Sequence, residues 1–179
     1  MKVSKGVRTS KRATKKVSSR ATKKAPAGQP LWKSVLVPTD FSESSMKALN
    51  YGVTLAQMMG AKLTLAHIVV PVAAPDLVYG PVSWDEEVAV KEARKRLKEL
   101  RLEGGAEVLE RARIIVRRGH PYHEIDQIAK DIKAGLIVVS THGRTGLRHL
   151  LLGSVAERVI RHAPCPVLVV REGEHEFVY

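Results

Sequence analysis

Residues 140–155 read STHGRTGLRHLLLGSV, with glycine at 143, 146 and 153 and hydroxyls at Ser140, Thr141, Thr145 and Ser154. An apolar run leads into this segment and a helical pattern leads out of it. Glycine lets backbone N–H groups come close to an oxyanion. Gly153-Ser154 stands where a helix begins, so free amides and the helix dipole favour an anion there. Arg144 and Arg148 add positive charge. A phosphate chain suits this chemistry; the alternative is a glycine-containing loop that only turns the chain. Neither G-x-x-x-x-G-K-[ST] nor G-x-G-x-x-G occurs, so a nucleotide would need a different cradle.

Other reactive side chains point less sharply. Asp40, just before Ser42, reads on its own as a cap or turn residue. His120 and His123 lie three apart beside Glu124, but two histidines without a third ligand read as solvated helix-end residues. His142 falls inside the glycine segment, where phosphate contact, proton transfer and loop structure are all open. His67 sits in a strand pattern and reads as packed or hydrogen-bonded. Cys165, between Pro164 and Pro166, reads as structural, and a single cysteine excludes an internal disulfide or a multi-cysteine metal site. No nucleophile elbow and no catalytic carboxylate pair is recognisable, so no catalytic residue is assigned.

These residues need a frame. Strands are expected around Leu36-Val37 and at 62–69, 112–117, 136–140 and 166–171. Helices are expected at 42–59, 84–103, 120–132 and 153–162. Ser42 is a candidate N-cap, Gly60 a C-terminal stop, and Pro121 suits a first turn. Gly104-Gly105 is expected to end the second helix, whose charges read as a solvent face with i,i+4 pairs. Continuous Val/Ile/Leu runs mark strands covered on both faces. Five strands alternating with four helices imply an α/β domain, an open parallel five-stranded sheet with helices on both faces (Rossmann-like). Ligands in such folds sit beyond the carboxyl ends of the strands, at a topological switch point.

The 179 residues divide by charge. Residues 1–30 hold ten of the 30 Lys and Arg and no acid; residues 31–179 are nearly neutral, with 20 basic and 18 acidic side chains. RATKK occurs at 12–16 and again at 20–24. Such a segment has too little apolar surface to order itself, and is expected to be a disordered tail ahead of a domain at 31–179. Its charges suit non-specific attraction to DNA or RNA, without base stacking because no aromatic interleaves them. A solvated extension without a role, or a transit peptide, is the competing reading. No apolar run is long enough to span a bilayer, and the cysteine usage is compatible with a cytoplasmic protein.

Three segments in order resemble the universal stress protein family, in its ATP-binding branch. That branch carries a glycine, two residues, a glycine, nine residues, then Gly-Ser or Gly-Thr. Gly143, residues 144–152 and Gly153-Ser154 match, with Ser140 standing where the first glycine would be. VLVPTDFSE at 35–43 resembles the family's first strand and acidic turn, and CPVLVVR at 165–171 its last strand. The similarity covers about residues 32–171. It implies a site in which Asp40 accepts hydrogen bonds from ribose or adenine, Pro38 and Thr39 shape the wall, and Ile68 lies against adenine. Ser140, Thr141, Gly143, Gly153 and Ser154 would hold ribose and phosphates through amides and hydroxyls, with the charge of Arg144 beside them. The ligand implied is ATP, with Mg²⁺ or Mn²⁺ bridging its phosphates. A homodimer through the last strand is implied as well. The expected function is an ATP-binding regulatory module with slow or no hydrolysis. The alternatives are an ATP-independent dimeric scaffold and a hydrolase of the related adenine-nucleotide group. That group's Ser-Gly-Gly signature is missing after the first strand, where Asp40-Phe41-Ser42-Glu43-Ser44 stands.

Overall fold

The computed structural model describes residues 32–71, 85–102, 104–141 and 153–171. The elements run β1 (Ser34–Pro38), α1 (Glu43–Met59), β2 (Lys62–Val69), α2 (Glu86–Glu99), α3 (Ala106–Glu110), β3 (Arg113–Arg118), α4 (Pro121–Asp131), β4 (Leu136–Ser140), α5 (Ser154–His162) and β5 (Val167–Val170). The five strands form one parallel sheet in the order β3-β2-β1-β4-β5. Consecutive strands step one way from β1 to β3, and the chain then crosses to β4 on the other side of β1. The switch point is therefore between β1 and β4.

The alternation of side chains along a strand divides the core in two. Val35 and Val37 of β1 face α1 and α2, in a cluster with Leu49, Val53, Leu65, Leu97 and Val138. Leu36, between them, faces α4 and α5, with Ile125, Ile128, Ile137 and Val159. Both faces are covered, which is why the central strands read as unbroken apolar runs.

Local signals set the helix ends. The Ser42 hydroxyl accepts from the Ser45 N–H at the start of α1, and Gly60 closes that helix at φ 58°. Gly52, in mid-helix, is a site of close approach: a Cβ there would meet Val37 Cγ2 at 2.3 Å. Pro121 occupies the first turn of α4.

Two expectations need correction. The second helix ends at Glu99, because Leu100 (ψ 134°) leaves the helical region before the glycine pair is reached. Leu100 and Leu102 pack instead against the α1–α2 core. A fifth helix, α3, then follows, too short to show a periodicity. Ion pairing also differs: Glu86 of α2 pairs with Arg118 of β3, while the i,i+4 pairs seen lie on α3, α4 and α5.

Candidate functional site

A cleft of about 650 Å³ opens at the switch point, over the carboxyl ends of β2, β1 and β4. It is walled by the start of α5 on one side and by the inner face of α2 on another. Of the ten candidate residues, Pro38, Thr39, Asp40, Ile68, Ser140, Thr141, Gly153 and Ser154 all line it. Gly143 and Arg144, with His142, lie outside the described residues, as does the segment 1–30.

The α5 side is built from backbone. The Thr141 N–H donates to the Val170 carbonyl (3.0 Å), and the Gly153 N–H donates to the Thr141 carbonyl (2.7 Å). These bonds fasten both ends of the glycine segment to the sheet. They also occupy the Gly153 amide. The first intrahelical bond of α5 runs from the Glu157 N–H to the Gly153 carbonyl, and no side chain caps the helix. The amides of Ser154, Val155 and Ala156 are those the helix itself leaves over, and all three residues face the cleft. Ser140 ends β4 in register with Val170, in ordinary extended backbone.

The β1 side is built from side chains. The Thr39 N–H continues the ladder to the Ala66 carbonyl (2.8 Å), and its hydroxyl lies 2.9 Å from the buried Ser45 hydroxyl. Asp40 Oδ1 accepts from the Ser42 N–H (3.0 Å) and the Ser42 hydroxyl (2.6 Å). Asp40 is thus a turn residue, as its isolated reading suggests, and that turn holds its carboxylate at the cleft. Phe41 follows in the left-handed region (φ 64°), where a side chain is sterically disfavoured. Its N–H donates to Thr39 Oγ1 (3.0 Å).

Three residues of this wall escape the sequence reading as site residues. His67 is hydrogen-bonded, as expected for a strand histidine, but it also lines the cleft. Its Nδ1 lies 2.8 Å from the Thr39 carbonyl, which can only accept, so Nδ1 carries the proton. The Phe41 ring stands 4.7 Å from the His67 ring, and the Arg96 guanidinium of α2 lies 4.1 Å over Phe41. An aromatic directly after a strand-end aspartate was the one available signal.

The remaining candidates fall elsewhere. His123 Nδ1 lies 3.1 Å from Glu124 Oε1 at the exposed start of α4. No group of three or more His, Cys, Asp or Glu able to hold a metal occurs among the described residues. Cys165 is half-buried, and burial pushes its thiol pKa up, which keeps it protonated and unreactive. A smaller cavity of about 350 Å³ between α2 and β3 contains none of the predicted site residues. No described helix is long and apolar enough to cross a membrane.

An open, fully parallel α/β sheet with a ligand-sized cleft at its switch point defines the class: a Rossmann-like domain whose cleft joins helix-end amides to a strand-end carboxylate. Within that class the chain belongs to the universal stress protein family, whose family model matches residues 31–171. The universal stress protein MJ0531 of Methanocaldococcus jannaschii is 34% identical over 157 residues, covering 83% of this chain and 88% of that protein. The solved universal stress protein UspA from Lactobacillus plantarum superposes with a TM-score of 0.62 at 27% identity, over 78% of this chain and 97% of its own. A universal stress protein solved in complex with cAMP is 28% identical, with a TM-score of 0.53, over 78% of this chain and 96% of its own.

Proposed function

We propose that the domain is an adenine-nucleotide-binding regulatory module, with ATP as its ligand and slow or no hydrolysis. One observation carries this reading: Ser154, Val155 and Ala156, at the helix start that leaves their amides over, line the same cleft as Asp40 and Ile68. Oriented amides at a helix start suit phosphate oxygens. The buried Ile68 offers an apolar surface for a purine, and Asp40 an acceptor for ribose hydroxyls or an exocyclic amine. The cAMP complex of a relative supports the choice of an adenine ligand. Gly143 and Arg144 are assigned to the same phosphates on the motif alone.

Mg²⁺ or Mn²⁺ would serve as a phosphate-bridging ion. Asp40 is a carboxylate at the cleft, but its Oδ1 is already bonded twice to Ser42. The ligand's own oxygens would therefore supply most of the coordination. No residue in the cleft is assigned a chemical step. Occupancy would act by drawing together the start of α5 and the end of β1.

β5, one edge of the sheet, is the proposed homodimer contact. Residues 1–30 are proposed to bind DNA or RNA non-specifically, in a cytoplasmic protein. Titration with labelled ATP tests the central reading: saturable binding is expected, and none at millimolar nucleotide would leave the ATP-independent scaffold. Deleting residues 1–30 is expected to abolish DNA retention at low salt and leave ATP binding unchanged.

A further inference from the structure

The α2 wall of the cleft carries a cation without an ionic partner in the described chain. Arg96 lines the cleft, and no carboxylate among the described residues lies within 4.0 Å of it. Arg111, Arg117, Arg118 and Arg161 pair with Glu107, Asp131, Glu86 and Glu157. Arg94, Arg101, Arg113 and Arg158 also lack a carboxylate partner among the described residues, but of the described arginines only Arg96 lines this cleft. Arg96 is held by a ring instead, its guanidinium 4.1 Å from the Phe41 centroid. Stacking on a ring face fixes the plane of a guanidinium while leaving its N–H edge for in-plane bonds.

The support beneath it is fixed in turn. Phe41 is tied through its N–H to Thr39 Oγ1 and stacks on His67, which is bonded to the Thr39 carbonyl. Three segments distant in sequence, at residues 39–41, 67 and 96, thus meet at one guanidinium at the cleft. A planar fork in that position matches two oxygens of a phosphate. Glu92, one turn earlier on the same wall, is the only acidic side chain α2 contributes to the cleft lining.

We propose that Arg96 binds a phosphate group of the nucleotide, so that a side chain on α2 joins the α5 amides in selecting phosphorylated adenine ligands over adenosine. This rests on the nucleotide reading above. It gives α2 a direct stake in occupancy, because the bound phosphate would tie that helix to the start of α5.

The test uses the full chain at about 0.3 M salt, where attraction by the basic tail is screened. ATP and adenosine are titrated into wild type and variants. Arg96→Gln is expected to weaken ATP about ten-fold and leave adenosine within two-fold. Arg96→Lys is expected to recover part of the loss, since charge returns without the fork. Glu92→Gln is expected to strengthen ATP about two-fold by removing a repelling charge. Lys95→Gln, on the exposed part of α2, is expected to change nothing. Arg96 is exposed, so the variants should melt as wild type does. Wild-type ATP affinity in Arg96→Gln, or an equal loss for adenosine, overturns the proposal while the nucleotide reading stands. A wild-type protein that binds neither ligand overturns both.

Discussion

The cleft has two walls made in different ways. The α5 wall is main chain: a helix start that leaves the amides of Ser154, Val155 and Ala156 over, with Thr141 and Gly153 held by backbone bonds. The β1–α2 wall is side chain: Asp40, Phe41, His67 and Arg96, brought together from three places in the sequence. A wall of amides survives many substitutions, because every residue but proline supplies the same donor. A wall of side chains depends on each identity. The first kind suits a ligand's constant part, its phosphates; the second can be tuned to discriminate between ligands.

The sharpest way to break this contrast is Ser154→Asp. A carboxylate in the first turn of α5 complements the helix dipole, so thermal stability should hold or rise by about 0.3–1 kcal/mol. The same charge would face the phosphates at a few ångströms. ATP affinity is expected to fall about a hundred-fold, roughly 2.7 kcal/mol. A melt and a titration on the same sample check both signs. Unchanged ATP affinity would mean the phosphates do not lie at α5.

Gly52→Ala probes the floor beneath the side-chain wall. The added methyl would meet Val37 Cγ2 at 2.3 Å, one residue before the Pro38-Thr39-Asp40 turn. Overpacking of this kind costs about 1–3 kcal/mol. Denaturant unfolding should show that loss, and Val37→Ala added to it should restore part, because the methyl then has room. If Gly52→Ala is neutral, α1 can shift away from β1, and the wall is less tightly founded than its packing indicates.

A paired substitution at Phe41 separates strain from stacking. Both Phe41→Ala and Phe41→Gly remove the ring under Arg96 and beside His67. Only glycine removes the penalty of φ 64° as well. The glycine variant is expected to be more stable than the alanine variant by about 1 kcal/mol. Both should lose ATP affinity by the same several-fold amount, since both release Arg96. Equal stabilities would show that the turn relaxes once the ring is gone.

The two walls also differ in how plainly the sequence announces them. The α5 wall is readable because its parts are local: a strand run, glycines at fixed spacing, then a helix. The frame is equally local, from the Ser42 and Gly60 caps of α1 to the unbroken Val/Ile/Leu runs of β1, β2 and β4. The other wall needs the strand register. Val37 pairs with Leu65 and Pro38 with Ala66, and only that alignment brings the Thr39 carbonyl to His67. Arg96 needs more still, namely the rotation of α2 about its axis, and its neighbours in sequence are all charged or apolar helix residues without distinction. The helix α3 escaped for a simpler reason: five residues complete little more than one turn.

Ser140 gives the smallest expected effect and tests the backbone logic of the amide wall. The family resemblance places a glycine at this position. Glycine would matter if the chain needed a positive φ here, and it does not. Ser140 is the last residue of β4, paired in register with Val170, and the non-glycine residues with positive φ among those described are Phe41 and Lys133. An L side chain sits in extended backbone without strain. Ser140→Gly should therefore change ATP affinity by less than about three-fold, while lowering stability by about 0.5–1 kcal/mol through the added freedom of the unfolded chain. Isothermal titration and denaturant unfolding read the two quantities separately. A large gain in ATP affinity would show that the serine side chain obstructs the ligand, and that one residue of the amide wall discriminates after all.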